Sequence, residues 1–308
     1  MKRILVFGSL NIDLVQRVPR LPRAGETLQG SSVETYIGGK GANQACAATK
    51  LSGNVQMLGK VGSDVFAPRI MRELETAGVR TELIRVSKEP CGTAVIFVLP
   101  NGDNTIVISA GANADIPATF AHDVLEKMQP GDLLLCQLET PIEAVSSALQ
   151  LAHAKGLITI LDPAPAQQLP EELLSCVTIL TPNQTETAIL LADSEVPENF
   201  TTASSAARAL QDRGARSVVI KMGALGCLVA HGGDFSFHEG HKVKVIDTTS
   251  AGDTFNGGLA AALARGDTLL EAARFANAAA ALSVTRSGAI PSIPDFQSVR
   301  SFLAARPV

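Results

Sequence analysis

The chain has 308 residues, of which 46% are hydrophobic and 18% charged, and its formal net charge is −4. This length allows one large α/β domain or two smaller ones, and the slightly acidic balance argues against a broad nucleic-acid surface. The five cysteines are scattered without a C-x-x-C pair, which argues against a disulfide framework or a zinc site and for a reducing compartment.

The first apolar run, at residues 4–7, follows two basic residues. It ends at Gly8, and Asp13 comes soon after, so the run is too short for the hydrophobic region of a secretory signal. No run approaches the ~18 apolar residues of a membrane helix. We therefore expect a cytoplasmic protein with no membrane partner.

Short apolar runs alternate along the chain with stretches of helical periodicity. Such alternation predicts an α/β fold, with a mostly parallel central sheet flanked by helices. The predicted strands are residues 4–7, 55–61, 133–136, 157–161, 177–180, 217–221 and 243–246. The predicted helices are residues 41–51, 65–77, 142–152 and a stretch from 252 onwards.

Two regions break this alternation. Residues 11–36 are rich in turn formers, and residues 91–109 resemble a hairpin whose turn is Pro-Asn-Gly-Asp at 100–103. We interpret them as a small β-sheet insert, formed by about 12–36 and 90–110, within a single domain of residues 1–308. The insert either covers a ligand or partner subunit, or simply packs on the parent core.

Several nucleotide and hydrolase signatures are absent from the sequence. Gly39-Lys40 is followed by Gly41 rather than Ser or Thr, which excludes a P-loop. The first strand leads into Gly8-Ser9-Leu10 without a G-x-G-x-x-G fingerprint, which argues against a dehydrogenase. H-E-x-x-H and G-x-S-x-G are also missing.

Residues 247–258, DTTSAGDTFNGG, lie between the predicted strand 243–246 and an apolar helical stripe. Small residues at a helix N-terminus make a site for an anion. A carboxylate at Asp253 is then explained in one of two ways. It is either a general base for an alcohol that attacks a phosphoryl group, or a first-turn residue that favours the helix dipole.

Four further polar clusters follow predicted strands or open helices, where open α/β sheets bind ligands. They are residues 11–13 (NID), 38–44 (GGKGANQ), 137–139 (QLE) and 181–186 (TPNQTE). Each has a structural alternative as a turn or a cap. The alternative is strongest for Asn183 and Glu186, which have the spacing of a capping box.

Taken together, these motifs resemble the ribokinase-like (PfkB-type) carbohydrate kinases over nearly the whole chain. The most specific are GGKGANQA at 38–45 and DTTSAGDTFNGG at 247–258, supported by LDPAPA at 161–166 and VTRSGAIPS at 284–292. The resemblance implies ATP-dependent phosphorylation of D-ribose at its 5-hydroxyl, with Mg²⁺ and K⁺ as cofactors. It also implies that the β insert is a lid and that two lids pair in a homodimer.

The resemblance assigns roles by motif match. Asp253 is the base, and the amides of Ala251 and Gly252 form the anion hole. The sugar-binding positions are Asn11, Asp13, Gly39, Lys40, Asn43, Glu139 and Asp253. The nucleotide-binding positions are Asn183, Glu186, Lys221, Gly223, Gly226, Gly252 and Asn277, of which Asn183 and Glu186 also organise Mg²⁺ through water. The monovalent-cation positions are Asp247, Thr249, Ser283, Arg286, Gly288 and Ser292.

Two positions depart from the family pattern. Lys221 stands where members often carry a hydroxyl residue, which leaves its role open, and Gln184 replaces a frequent Glu. The remaining alternatives are a kinase for deoxyribose, another pentose, fructose or a nucleoside, and a non-catalytic sugar-binding regulator of the same fold. The absence of Trp and the single Tyr argue against an aromatic slot for a nucleobase.

Overall fold

The computed structural model describes residues 1–193 and 195–306. Strands and helices alternate through most of this part of the chain. The strands are β1 (Arg3–Phe7), β2 (Asn11–Arg17), β3 (Glu34–Gly38), β4 (Asn54–Val61), β5 (Arg80–Val86), β6 (Gly92–Val98), β7 (Asn104–Ser109), β8 (Leu133–Cys136), β9 (Ile158–Leu161), β10 (Ile179–Leu180), β11 (Ser217–Lys221), β12 (Gly226–His231) and β13 (Asp234–Glu239). The helices are α1 (Lys40–Lys50), α2 (Ala67–Thr76), α3 (His122–Leu125), α4 (Ile142–Ala154), α5 (Glu171–Leu174), α6 (Gln184–Leu191), α7 (Phe200–Asp212), α8 (Ala251–Arg265), α9 (Leu269–Ser283) and α10 (Phe296–Ala304).

The central sheet has nine strands in the order β13-β12-β11-β10-β9-β8-β1-β4-β5. All neighbours are parallel except at the β11-β12-β13 edge, where the pairing is antiparallel. Every residue of β8 is buried, as expected for an apolar strand covered on both faces. One core lies under α1, α8 and α9, and the other lies under α4 and α7. The predicted α/β class is confirmed.

Close packing of α1 on α8 brings the beginnings of these two helices together. A Cβ atom on Gly257 would lie 2.5 Å from Ala47 Cβ and 2.7 Å from Ala48 N, so only glycine permits this approach. The residues at this contact are small and fully buried. Both sequence motifs that open helices, at 38–45 and 247–258, therefore meet at one end of the sheet.

A separate four-stranded sheet, in the order β3-β2-β6-β7, projects from this end. The predicted hairpin is confirmed as β6 and β7, in which Val98 pairs with Asn104 across the turn. The NID motif opens β2 rather than a loop, and β2 runs parallel to β6. All six residues of β7 are exposed.

The predicted strand at 243–246 is wrong. The last strand is β13, which already occupies the edge of the central sheet, and the chain leaves it at Gly240. Residues 243–246 run outside any sheet, and the Ile246 N–H donates to the Val284 carbonyl at 2.8 Å. The segment thus contacts the loop after α9. Among the described residues, no helix is long and apolar enough to cross a membrane.

Candidate active site

Asp253 lies in the first turn of α8, and its side chain is almost completely buried. Two amide side chains from the beginning of α1 hold its carboxylate. Asn43 Nδ2 donates to Oδ2 at 3.2 Å, and Gln44 Nε2 donates to Oδ1 at 3.0 Å. A buried carboxylate needs such donors, because the charged form has lost its water. The orientation of Asp253 is therefore fixed by α1.

Burial raises the pKa of Asp253 above its ordinary value, and the Lys40 ammonium opposes this shift. Burial alone would lower the pKa of Lys40. The negative charges of Asp253, Asp162, Glu139 and Glu186 outweigh burial and raise it instead. Lys40 is thus the positive centre of a carboxylate-rich site, and it stays protonated at neutral pH.

The turn before Asp253 presents a free amide. Ser250 precedes α8 with φ of 56°, a left-handed conformation that turns the chain sharply into the helix. The Ala251 N–H donates to the Thr248 carbonyl at 3.2 Å, whereas the Gly252 N–H has no hydrogen-bond partner among residues 1–193 and 195–306. A Cβ on Gly252 would meet only Lys221 Nζ, at 3.7 Å. An anion can therefore approach the Gly252 backbone closely.

Glu139 joins the beginning of α1 to the residues that follow β1. Glu139 follows β8, and its Oε2 accepts from Ser9 Oγ at 2.5 Å and from the Lys40 N–H at 3.0 Å. Gly39 has φ of 88°, and a Cβ there would lie 2.9 Å from the Ser9 carbonyl. This close approach explains why the GGKG turn needs its second glycine.

Asn11 and Asp13 come from β2 of the small sheet. Asn113 Nδ2 donates to Asn11 Oδ1 at 2.7 Å, and Asn113 Oδ1 accepts from the Leu10 N–H at 2.9 Å, which fixes the Asn11 side chain. Burial, followed by the charges of Glu139 and Asp253, raises the pKa of Asp13 to about 6. Asp13 therefore shares the electrostatic environment of the buried carboxylates.

A cavity of about 400 Å³ borders Asp253. Asn183 and Glu186 form the predicted capping box: Asn183 Oδ1 accepts from the Glu186 N–H at 2.8 Å, and Glu186 Oε2 accepts from the Asn183 N–H at 2.7 Å. The cavity is lined by Lys40, Asp162, Asn183, Gln184, Thr185, Glu186, Lys221, Gly223, Thr248, Ser250, Ala251, Gly252 and Asp253.

Two predicted nucleotide positions, Gly226 and Asn277, meet at the β12–β13 edge. Gly226 pairs with Glu239, and a Cβ on Gly226 would lie 2.0 Å from the His238 carbonyl. The position therefore has no room for a side chain. Asn277 Nδ2 donates to the Glu239 carbonyl at 2.9 Å. These two residues thus flank the same stretch of β13.

Of the predicted monovalent-cation positions, Thr249 and Gly288 contact Asp247. Its Oδ1 accepts from the Thr249 N–H at 2.9 Å, and its Oδ2 accepts from the Gly288 N–H at 2.8 Å. The Ser283 and Ser292 hydroxyls donate to carbonyls within their own turns, at 2.8 and 2.7 Å. The two segments, 247–249 and 283–292, are therefore joined through one carboxylate.

Sequence reasoning missed five residues that hold the site together: Ser9, Gln44, Asn113, Gln137 and Asp162. Asp162 immediately follows β9, so the rule that selected the other strand ends would also have found it. Gln44 and Gln137 lay inside motifs already recognised. Ser9, two residues after β1, falls under the same rule, whereas Asn113 carries no such signal, because its contact with Asn11 spans 102 residues of sequence.

The fold and the site define a class of protein. A buried carboxylate beside a free helix N-terminus, a lysine and a nucleotide-sized cavity suits transfer of a phosphoryl group to a hydroxyl. The sequence matches the model of the pfkB family carbohydrate kinases over residues 1–295. The chain therefore belongs to the pfkB family of carbohydrate kinases.

Full-length relatives refine this assignment. The chain is 41% identical to the ribokinase of Haemophilus influenzae, with 98% of each chain covered. It is 34% identical to a deoxyribokinase of Salmonella typhi, again with 98% of each covered. The solved structure of Arabidopsis thaliana ribokinase complexed with ribose and ATP superposes with a TM-score of 0.90 at 34% identity, and 98% of each chain is covered.

The raised pKa of Asp13 predicts a pH-dependent effect of Asp13→Asn on stability. Folded Asp13 holds its proton up to about pH 6, whereas an unfolded aspartate loses it near 4. The ionised form is thus destabilising in the native state, and stability falls as the pH rises between these values. Asp13→Asn should raise the free energy of unfolding by about 1–3 kcal/mol at about pH 8 and much less at about pH 4.

Urea unfolding at the two pH values measures this difference. Asp123→Asn, on the short surface helix α3, is the control and should give the same small change at both. Equal effects of the two substitutions at about pH 8 would contradict the electrostatic origin of the shift.

Proposed function

We propose that this protein transfers the γ-phosphoryl group of ATP to the 5-hydroxyl of D-ribose, giving D-ribose 5-phosphate and ADP. The observation that carries the proposal is the buried Asp253 carboxylate next to the free Gly252 N–H at the start of α8. Relatives named ribokinase at 41% identity and the superposition on a ribokinase complexed with ribose and ATP support the choice of substrates.

In the proposed reaction, Asp253 accepts the proton of the sugar hydroxyl as that oxygen attacks the γ-phosphorus. Its raised pKa suits this role, because a base must hold the proton that it removes. The Gly252 N–H and the positive end of α8 stabilise the charge on the transferred group. Ala251 contributes less directly, since its N–H already donates to Thr248.

The proposed ribose site uses the polar groups between α1 and the small sheet. Asn11, Asp13, Asn43 and Glu139 offer oxygens and amides to the sugar hydroxyls, and Gly39 lets the backbone approach. The positive Lys40 offsets the surrounding carboxylates, which would otherwise repel the phosphates. Movement of the small sheet over the sugar would exclude water and so favour transfer over ATP hydrolysis.

The proposed nucleotide site is the cavity lined by Asn183, Glu186, Lys221 and Gly223, with Gly226 and Asn277 further along. No group of three His, Cys, Asp or Glu side chains in the described part of the chain could hold a metal ion by itself. Mg²⁺ bound to the ATP phosphates, and held by Asn183 and Glu186 through water, would not need such a group. The residues present therefore fit Mg²⁺ bound as MgATP.

Deoxyribose is the strongest alternative substrate, because a relative that matches over 98% of the chain is named deoxyribokinase. The two sugars differ in a single hydroxyl. A site that hydrogen-bonds this hydroxyl discriminates strongly against the sugar that lacks it. The rates with ribose and with deoxyribose therefore distinguish the two substrates.

A coupled ADP-release assay with ribose, deoxyribose, fructose and a nucleoside tests the proposal. Ribose should give the highest kcat/KM. Asp253→Asn should lower kcat by about 10²–10⁴, because the base is lost, while ribose binding measured by calorimetry persists. Asp267→Asn, past the end of α8, is the control and should leave kcat unchanged. Near-normal turnover by Asp253→Asn would exclude Asp253 as the base. A higher kcat/KM with another sugar would show that ribose is not the preferred substrate.

We further propose a K⁺ site at the junction of residues 247–249 and 283–292, where Asp247, Thr249, Ser283, Arg286, Gly288 and Ser292 offer oxygens. The site would set the geometry of the turn that leads into Gly252. Replacing K⁺ by Na⁺ should lower kcat several-fold, because the smaller ion fits the same oxygens poorly. Asp247→Asn should abolish this difference. Equal rates of wild-type protein in K⁺ and Na⁺ would rule out the site.

We propose that the small sheets of two chains pair in a homodimer in the cytoplasm. The exposed β7 carries Ile106, Val107 and Ile108, which are between 48% and 61% exposed. Five free cysteines agree with a reducing compartment. Light scattering at micromolar concentration should give the mass of a dimer, and Val107→Asp should give the mass of a monomer. A wild-type monomer would overturn this proposal.

A further inference from the structure

A buried chain of hydrogen bonds joins Asp253 to Lys221. The Gln44 side-chain amide donates to Asp253 Oδ1 at 3.0 Å and to Asp162 Oδ2 at 2.8 Å. The other oxygen of Asp162 accepts from Lys221 Nζ at 2.8 Å. Gln44, Asp162 and Asp253 are all buried. The four side chains therefore form one connected unit that spans the end of the sheet from α8 to β11.

Only one orientation of the Gln44 amide satisfies this unit. Gln137 Nε2 donates to Gln44 Oε1 at 2.7 Å, so the Gln44 amide group must face the two carboxylates. A flipped amide would direct its carbonyl at both negative charges and its NH₂ at the Gln137 NH₂. Gln137 thus fixes the orientation of the Gln44 amide, and Gln44 lies between the carboxylates of Asp253 and Asp162.

Lys221 brings the positive end of this unit to the anion-binding turn. Its Nζ lies 3.7 Å from the position of a Cβ on Gly252, and its side chain lines the cavity. Within the described ranges, the ammonium donates one hydrogen bond, to Asp162. A lysine ammonium has three donors, so it can also bind a phosphate oxygen in the cavity.

Neither charge of the pair suits the cavity alone. Asp162 without Lys221 would leave a buried negative charge beside both the base and the arriving phosphates. Lys221 without Asp162 would lose the contact that fixes its position. Removing one partner of a buried ion pair is generally more harmful than replacing both. The two charges are therefore expected to act as one element.

We propose that Asp162 and Gln44 are positioning residues that hold the Asp253 carboxylate at a fixed separation from the Lys221 ammonium, and that this ammonium binds the phosphoryl group that ATP transfers. The inference rests on the proposed kinase function. Its consequence is alignment: the proton acceptor and the phosphate-binding cation are the two ends of one rigid unit, so the hydroxyl and the phosphorus meet in line.

A double-mutant cycle tests this coupling with two readouts. Lys221→Met should lower kcat by about 10²-fold and weaken binding of a non-hydrolysable ATP analogue by about tenfold, because Asp162 is left uncompensated. Asp162→Asn in the same chain should restore both quantities at least about fivefold. The KM for ribose should stay within about twofold throughout, because the sugar contacts are unchanged.

Gln44→Leu separates positioning from charge. This substitution removes the hydrogen bonds from Gln44 to Asp253 and Asp162 but keeps the Asp162–Lys221 ion pair. We therefore expect kcat to fall by about tenfold or more while analogue binding is retained. Lys155→Met is the control for removal of a lysine from an ion pair, because Lys155 lies 3.0 Å from Glu126 on the surface. It should change neither readout. If Lys221→Met does not fold, Asp162→Asn alone carries the test, with a lower kcat and retained analogue binding expected.

Equal kcat and equal analogue affinity in Lys221→Met and in the double variant would overturn the proposal, as would an unchanged kcat in Gln44→Leu. Analogue binding makes the two levels of inference separable. If the wild-type protein phosphorylates no sugar but analogue binding follows the cycle, the proposed function fails and the charge coupling stands. If ribose is phosphorylated and the cycle is additive, the coupling fails and the function stands.

Discussion

Burial of the Asp253 carboxylate is the constraint on which the rest of the site depends. A carboxylate taken out of water must find donors and an opposite charge, or it becomes neutral. Asn43 and Gln44 supply the donors, and Lys40 supplies the charge. All three come from the beginning of α1, so the site exists only because α1 and α8 lie in close contact. Gly257 and the small alanines of α1 permit that contact, which links helix packing directly to chemistry.

Further charged side chains surround Asp253. Asp13, Glu139, Asp162 and Glu186 add four carboxylates around Asp253, while Lys40 and Lys221 provide two ammonium groups. Burial, and then this excess of negative charge, destabilises the ionised form of Asp13 in the folded protein, as its raised pKa indicates. The two large apolar cores on either side of the sheet offset that cost. Carboxylates held in this way can accept hydrogen bonds from hydroxyl groups and attract cations, as the proposed function requires.

The sequence allowed the α/β class, the hairpin 91–109 and most strand positions to be predicted, because buried strands and helices differ in the period of their apolar residues. Residues 243–246 were misassigned, since alternation of apolar and basic residues does not reveal whether a sheet edge is already filled. Motif residues such as Asp253, Lys40 and Asn43 were found in the sequence, and the structure brings them together. The Asp162–Lys221 pair was not predicted, because its members lie 59 residues apart and pair only through the fold.

The central claim is that this end of the sheet directs the phosphoryl group of ATP to a sugar hydroxyl rather than to water. Phosphorus NMR of a reaction with ATP and ribose labelled with ¹³C at carbon 5 tests this claim most directly. The account predicts a phosphomonoester signal that is coupled to the labelled carbon and that grows in step with ADP. Release of inorganic phosphate without that signal, or a phosphomonoester on another carbon, would contradict it.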